Sequence, residues 1–290
     1  MHRALRYSMH SMRDNSHSDP PFHPPAWQAS LQLGFTRDGA VTRLTRRAHR
    51  GPLRVQKALY PEGFEVCHVI IVHPPGGVVG GDRLEVEIDA GSDCRVLFTS
   101  PGAAKWYRAH GRISRQQVRL RVAAGATLEW LPQESIFYDA ACVELEHDVE
   151  LAPGATYLGS EILCFGRRAA GETFTRGRIA QRTRIRQGGK LLWHEQGVIT
   201  PASLASPLGL NGHSVCATFV AVGAALPAGL QAGLRASDPA LGVSQVKSVF
   251  VARHIGDDSE AARAAMLRVW QALRPHLLGR PACAPRIWHT

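Results

Sequence analysis

The chain has 290 residues, 44% of them hydrophobic, which is enough for a sizeable core and excludes a wholly disordered protein. Its formal net charge is +10, but arginine supplies nearly all of the positive charge and is spread along the sequence, so charge alone does not indicate a nucleic-acid-binding protein. No apolar run is long enough to span a bilayer and no signal-peptide segment follows the start, so we expect a cytoplasmic protein without a membrane partner.

Residues 1–25 are rich in His, Ser, Pro and Arg and show no hydrophobic periodicity. This composition predicts a disordered tail, followed by a single domain over residues 26–290. Histidines in the tail offer loose metal ligands, although a solvated tail is the simpler interpretation: His2, His10, His17 and His23.

A glycine-rich segment at residues 73–82 (HPPGGVVGGD) separates two strand-like runs. Its prolines disfavour a helix, and four glycines permit unusual backbone angles: Gly76, Gly77, Gly80 and Gly81. The segment does not match a phosphate-binding loop, because neither Lys-Ser/Thr nor a helix follows it. We therefore predict a mainly structural loop, with His73 and Asp82 as its functional candidates.

A short turn with a central glycine recurs through the middle of the chain. Its first glycines stand at positions 91, 125, 154 and, more loosely, 188, which lie 34, 29 and 34 residues apart. Segments of alternating apolar and polar residues flank each turn, as strands do. A strand–turn–strand unit of about thirty residues predicts a mostly β fold with stacked strands, either a β-helix (solenoid) or an elongated sandwich.

One segment has the pattern of an α-helix. Residues 257–260 (DDSE) supply a capping residue and first-turn acids, and Pro275 is predicted to end the helix. Apolar residues at helical spacing form one face: Ala262, Met266, Val269, Trp270 and Leu273. A weaker helix is predicted within residues 200–212, and strands at 215–222 and 246–254. The pattern indicates one β body with a small C-terminal helical region.

Local signatures of catalysis and of tight metal binding are absent from the sequence. It contains no Gly-x-Ser-x-Gly, no His-Glu-x-x-His and no Cys-x-x-Cys. Cys67 and His68 are adjacent, but neighbours on a strand face opposite sides, so one ion cannot easily use both. Each single His or Cys is more simply explained by packing.

Carboxylates nevertheless stand at junctions between apolar strands and loops. Glu134 ends a strand, Glu161 interrupts an apolar strand, and Glu172 follows two arginines. A buried carboxylate is costly unless it is paired or hydrated, so these are either structural ion pairs with nearby arginines or a hydrated functional site. A further segment interleaves basic and aromatic residues, which either stack nucleic-acid bases or pack in a turn: Lys105, Trp106, Tyr107 and Arg108.

Taken together and in order, these motifs resemble the urease accessory protein UreD family, also called UreH. The segments that carry the resemblance run from about Trp27 to the last residue: 73–82 (HPPGGVVGGD), 100–108 (SPGAAKWYR), 131–134 (LPQE), 166–174 (GRRAAGETF) and 285–290 (PRIWHT). Each motif alone is weakly specific, and the tail before Trp27 lies outside the resemblance.

The resemblance implies a β-helical scaffold without catalytic turnover that joins the accessory proteins UreF and UreG to the urease apoprotein. It also implies that Ni(II) carried by UreG passes through part of the protein in transit, with no tightly bound cofactor. Candidate residues for the nickel path follow from motif position and chemistry: Asp82, Glu134, Glu161, Glu172 and His73. The glycine-rich loop and residues 105–108 are candidate structural or docking loops.

Two other functions fit parts of the sequence. A β-solenoid hydrolase acting on a polymer would need paired carboxylates on one exposed face. A single-strand nucleic-acid binder would use the basic and aromatic residues 105–108. The ordered motif series favours the maturation scaffold, without a nucleic-acid partner.

Overall fold

The computed structural model describes residues 26–289, and the predicted tail lies outside the described residues. Two large β-sheets dominate it. In spatial order, the first sheet contains β14 (Lys190–Ile199), β13 (Arg178–Gln187), β11 (Cys142–Leu151), β8 (Ser114–Val122), β5 (Arg83–Ala90), β1 (Gln28–Asp38) and β2 (Val41–Arg50).

The second sheet lies against the first. In spatial order it contains β16 (Leu241–Val246), β17 (Val249–Gly256), β15 (Val215–Val222), β12 (Thr156–Phe165), β9 (Thr127–Trp130), β6 (Arg95–Thr99), β4 (Val66–Val72) and β3 (Arg54–Val55). Two short strands, β7 (Ala104–Trp106) and β10 (Ser135–Phe137), pair beside the end of β12. The α-helices are α1 (Pro201–Ala205), α2 (Leu230–Ser237) and α3 (Ser259–Leu278), and 3-10 turns span Arg168–Ala170 and Arg286–His289.

The middle of the chain winds as a β-solenoid of four coils, which confirms the predicted fold class. Each coil places one strand in each sheet: β4 with β5, β6 with β8, β9 with β11, and β12 with β13. Within each sheet these strands are parallel and in register. Antiparallel strands complete the sheets at their margins.

The recurring glycine turns are the corners of the solenoid. Those at Gly91, Gly125 and Gly154 each carry the chain from the first sheet to the second, and their backbones stack, as in the 2.8 Å bond from Thr127 N to Cys94 O. The turn at Gly188 differs, because it closes the antiparallel hairpin β13–β14. The weaker fourth match therefore marks the end of the coiled region.

The main hydrophobic core lies between the two sheets. Strand β5 shows how alternation builds it: Leu84, Val86 and Ile88 are buried, while Glu85 and Glu87 face outward. Burial of one face in this way fixes the register of each strand. The two sheets therefore hold any polar group on their inner faces at a defined position.

Arginine and carboxylate side chains alternate across the outer face of the first sheet. Acidic residues of β5 and β11 meet arginines of β8 and β13 in in-register ion pairs: Arg119–Glu87, Arg121–Asp89, Arg115–Glu144, Arg182–Glu146, Arg184–Asp148 and Arg186–Glu150. Opposite charges on neighbouring strands stabilise the pairing. Many arginines that look evenly scattered in the sequence therefore belong to one ordered ladder.

The C-terminal helix covers the outer face of the second sheet and forms a second core. The side chain of Asp258 caps α3 by accepting a 2.8 Å hydrogen bond from Glu260 N, and all five predicted core positions are buried. The prediction that Pro275 ends the helix is wrong. Helix α3 continues to Leu278 and ends at Gly279, which has a left-handed backbone and donates its N–H to Pro275 O.

The other C-terminal elements agree only in part with the predictions from the sequence. Helix α1 and strand β15 lie where they were predicted. The predicted strand at 246–254 is instead the second arm of the hairpin β16–β17, because Lys247 forms the turn with a positive φ of 54°. Helix α2 was not predicted. Within residues 26–289 no helix is long and apolar enough to cross a bilayer.

Candidate functional site

A cavity of about 440 Å³ lies between the two sheets. Its walls include the glycine-rich loop, the segment after β6, and the inner faces of β12, β13 and β14. Most of the lining is apolar. Its polar residues include Glu161, Gln181, Glu195 and His147, together with the charged residues Lys105, Glu146 and Arg182. A solenoid interior this size is large enough for water and a small cargo.

Glu161 carries the most unusual carboxylate of the cavity. It lies on β12, where Leu158, Ile162 and Leu163 pack into the apolar cores, and its side chain faces the cavity. Its only hydrogen bond within the described residues comes from Gln181 Nε2 on β13. Burial, with a further contribution from the nearby charge of Glu195, raises the pKa of Glu161 to about 7. The partner is a neutral amide, so Glu161 is not held by an arginine.

His147 and Tyr157 are cavity residues that the sequence reasoning missed. Their side chains contact each other, with 3.0 Å between His147 Nε2 and Tyr157 Oη. Burial lowers the pKa of His147 to about 4, so the imidazole is neutral at physiological pH. In sequence the two residues look like ordinary members of alternating strands, and no motif marks them.

His73 and Asp82 stand at the two ends of the glycine-rich loop and have different environments. His73 lines the cavity, and burial lowers its pKa, opposed by the charge of Asp82. Asp82 is buried outside the cavity lining and accepts backbone hydrogen bonds from Trp27 at 2.8 Å and Val79 at 3.0 Å. Asp82 therefore ties the loop to the start of the first strand.

The glycine-rich loop packs against residues 105–109 as a structural corner. Val78 N donates to Lys105 O at 2.8 Å, and Tyr107 N donates to Val78 O at 2.9 Å. A Cβ atom on Gly80 would overlap the carbonyl group of Ala109, and one on Gly77 would overlap the Tyr107 ring. Glycine is required at these positions because the two backbone segments approach so closely.

Replacing Gly80 by Ala is expected to destabilise the protein by about 1–3 kcal/mol, because the new methyl group forces the loop away from Ala109. Gly102→Ala is the matched control, since a Cβ there meets open space. Urea unfolding followed by circular dichroism measures both. Equal stability of the two variants would contradict the packed-corner interpretation.

The basic and aromatic segment is only partly exposed. Trp106 is fully buried and stacks on Phe137 with ring centroids 6.1 Å apart, whereas Lys105 and Arg108 are exposed. A buried indole cannot stack on a nucleic-acid base. This segment therefore lacks the aromatic platform that the nucleic-acid alternative requires at Trp106.

Glu134 and Glu172 lie outside the cavity lining. Glu134 forms an ion pair with Arg263 of α3, and Glu172 forms one with Arg167 at 3.0 Å in the loop after β12. The structure thus places Glu161 and His73 on the cavity and the other three candidates elsewhere. Among residues 26–289, no group of three or more His, Cys, Asp or Glu side chains is arranged to hold a metal ion.

A family model described as UreD urease accessory protein matches residues 28–289. The chain belongs to the UreD family. A urease accessory protein UreD from Janthinobacterium sp. (strain Marseille) is 56% identical over 271 residues, which cover 91% of this chain and 92% of that protein. The protein of the same name from Nitrosospira multiformis is 48% identical over 272 residues, covering 91% and 98%.

Membership of the UreD family assigns the chain a role in urease maturation. The match spans both sheets and α3, so the cavity lies entirely within the part shared with the family. Six outer-face carboxylates of β5 and β11, which a polymer hydrolase would need as free pairs, form ion pairs with arginines instead. Both observations favour an accessory protein over a hydrolase.

Proposed function

We propose that this chain is a non-catalytic scaffold of urease maturation in the cytoplasm, and that Ni(II) passes through the cavity between its sheets. UreF, UreG and the urease apoprotein are its proposed partners, with the exposed Lys105 and Arg108 of the 105–108 segment and the glycine-rich loop as docking loops. The observation that carries the proposal is the cavity of a UreD-family chain with a half-buried carboxylate, Glu161, that faces the cavity and is held only by a neutral amide.

The ligand chemistry of the cavity fits passage better than storage. Carboxylate, amide and hydroxyl oxygens bind Ni(II) more weakly than clustered imidazoles or thiolates, so an ion can exchange between them and water. Glu161 supplies an anionic oxygen, and His73 supplies a neutral imidazole at the loop. Nickel is the cargo in this scheme, and no cofactor is tightly bound.

Asp82, Glu134 and Glu172 have structural partners in the described residues, namely backbone amides or arginines. Their predicted place on the nickel path therefore requires that these contacts open in the assembled complex. Glu161 and His73 require no such rearrangement, because both already face the cavity. The proposal rests on these two residues.

Co-purification and reconstitution test the proposed function. A tagged chain is expected to retain UreF, UreG and urease subunits, and nickel-dependent activation of the apoprotein is expected to require the chain. A chain that neither retains any of these proteins nor increases activation would refute the scaffold role. If the chain retains these partners but substitutions in the cavity do not change urease activation, the scaffold role stands and nickel passage through the cavity is refuted.

A further inference from the structure

Two side-chain contacts join the inner faces of the sheets beside the cavity. Gln181 on β13 donates to Glu161 on β12, and Arg253 on β17 donates from Nη2 to Glu195 Oε1 on β14 at 2.7 Å. Glu161, Gln181 and Glu195 line the cavity. The second contact therefore bridges the two sheets at a carboxylate that belongs to the cavity wall.

The strand register orders these groups from the interior to the surface. Glu161 and Arg253 are both register partners of Thr218 on β15, so they lie in one row, two strands apart, on the same face of the second sheet. The Glu195 side chain is 27% exposed and that of Arg253 is 48% exposed. A path outward from Glu161 thus meets a second carboxylate and then a guanidinium at the solvent.

The charges of this row are unevenly matched. Arg253 neutralises Glu195, while Glu161 has the Gln181 amide. Glu195 is near enough to Glu161 that its negative charge helps to raise the pKa of Glu161, after the larger effect of burial. A divalent cation between the two carboxylates would relieve their repulsion and would itself repel the guanidinium.

We propose that Arg253 and Glu195 form a latch on the cavity wall, which a divalent cation at Glu161 opens by drawing the Glu195 carboxylate away from Arg253. The latch deepens, and rests on, the proposed passage of nickel through the cavity. Opening is easy because a half-exposed ion pair is weak and the released guanidinium hydrates at once. A monovalent cation has half the charge and leaves the latch closed.

Arg253→Gln removes the guanidinium and leaves the latch permanently open. At limiting nickel, the initial rate of urease activation by the reconstituted complex is expected to rise up to about fivefold, the factor that one exposed ion pair can supply. Arg253→Lys keeps the charge and is expected to behave as the unmodified protein. Arg186→Gln is the matched control, because it removes a comparable pair with Glu150 on the outer face.

Hydrogen exchange of the β14 amides in the isolated full chain gives a second readout. Nickel sulfate is expected to accelerate exchange in the unmodified protein, whereas Arg253→Gln is expected to exchange fast with or without nickel. Sodium sulfate serves as the monovalent comparison and is expected to change nothing. The melting temperature of each variant shows whether a change in urease activation or hydrogen exchange results from misfolding.

Glu161→Leu, measured in parallel, distinguishes the latch from the proposed passage of nickel through the cavity. If Glu161→Leu slows activation but Arg253→Gln changes neither activation nor exchange, the latch is overturned and nickel passage stands. If neither variant has an effect, both are overturned. If Arg253→Gln accelerates β14 exchange and activation while Arg253→Lys and Arg186→Gln do not, the latch is supported.

Discussion

Replacing Arg274 by Met is expected to lower the free energy of unfolding by about 3–5 kcal/mol, because it leaves two buried carboxylates without their cation. The Arg274 side chain is fully buried between Glu129 and Glu62. Its Nε donates to Glu129 at 3.0 Å, and Nη1 and Nη2 each donate to Glu62 at 2.7 Å. Methionine fills much of the same space but supplies no donor.

The loss is expected to loosen the C-terminal helix first. The network joins α3 to β9 through Glu129 and to the loop before β4 through Glu62, and Trp270 Nε1 also donates to Glu129 at 2.6 Å. Urea unfolding and hydrogen exchange of the α3 amides measure the effect. Arg268→Met is the control: the Arg268 side chain is 41% exposed, and Asp238 keeps a hydrogen bond from Ala240 N, so the pair is expected to contribute about 0–1 kcal/mol. Equal losses in both variants would contradict the prediction.

The effect of Arg274→Met is expected to depend on pH. Burial raises the pKa of Glu129, and Arg274 opposes it; for Glu62 the hydrogen bonds from His68 and Arg274 outweigh burial and hold the pKa below its ordinary value. Without Arg274 both folded-state pKa values rise, and that of Glu129 lies further above its ordinary value, so Glu129 binds more protons in the folded variant than in the unfolded chain. The free energy of unfolding of the variant then falls as the pH rises. The loss of stability relative to the unmodified protein is therefore smaller near about pH 5 than near pH 7. Adding Glu129→Gln is expected to recover part of the loss.

The coiled region was predictable because its signals are local and repeat. Turns at Gly91, Gly125 and Gly154 are solenoid corners: a Cβ on Gly91 would overlap the carbonyl oxygen of Phe35, and Gly125 and Gly154 have the positive φ that glycine adopts readily. Pro275 was misjudged because proline removes one amide hydrogen bond, a loss that tertiary contacts of a packed helix can outweigh. The buried Arg274 at the preceding position supplies such contacts.

The cavity partners were harder to predict because they depend on which side chains the coils bring together. The strand pattern singled out Glu161, but its partner Gln181 lies on the next strand of the same coil, in the opposite sheet. The arginines near Glu172 in sequence suggested ion pairing, and the surface pair with Arg167 bears that out. Asp82 was predicted to be a functional candidate of the glycine-rich loop, yet it accepts hydrogen bonds from backbone amides, which carry no sequence signal.

The candidate carboxylates fall into two groups according to their hydrogen-bond and ion-pair partners. Those of Asp82 and Glu134 are occupied by amides or a guanidinium, so removing them leaves donors unsatisfied and lowers stability. Glu161 has one partner, the neutral amide of Gln181, so removing its carboxylate leaves no cation unpaired. A loss of function without a loss of stability is therefore expected at Glu161.

Replacing Glu161 by Leu is expected to slow nickel-dependent activation of urease by about tenfold or more at limiting nickel, which corresponds to about 1.4 kcal/mol or more on the barrier to passage. The leucine removes the anionic oxygen and narrows the cavity at β12. Glu161→Gln keeps the size and removes the charge, so it separates electrostatics from obstruction. Glu150→Gln on the outer face is the control, because its exposed pair with Arg186 lies outside the cavity lining.

The pH dependence of these variants distinguishes a cargo ligand from a structural carboxylate. Because burial and Glu195 raise the folded-state pKa of Glu161 to about 7, the unmodified protein is expected to lose stability as the pH rises from the ordinary glutamate range through 7. Over the same range Glu161 ionises, so activation at limiting nickel is expected to increase. Glu161→Leu lacks both trends and is expected to gain stability relative to the unmodified protein at higher pH. Melting curves and activation assays of each variant from pH 5 to 8 measure these trends. If Glu161→Leu loses activation only in proportion to the loss of folded protein, this carboxylate has no role in nickel passage.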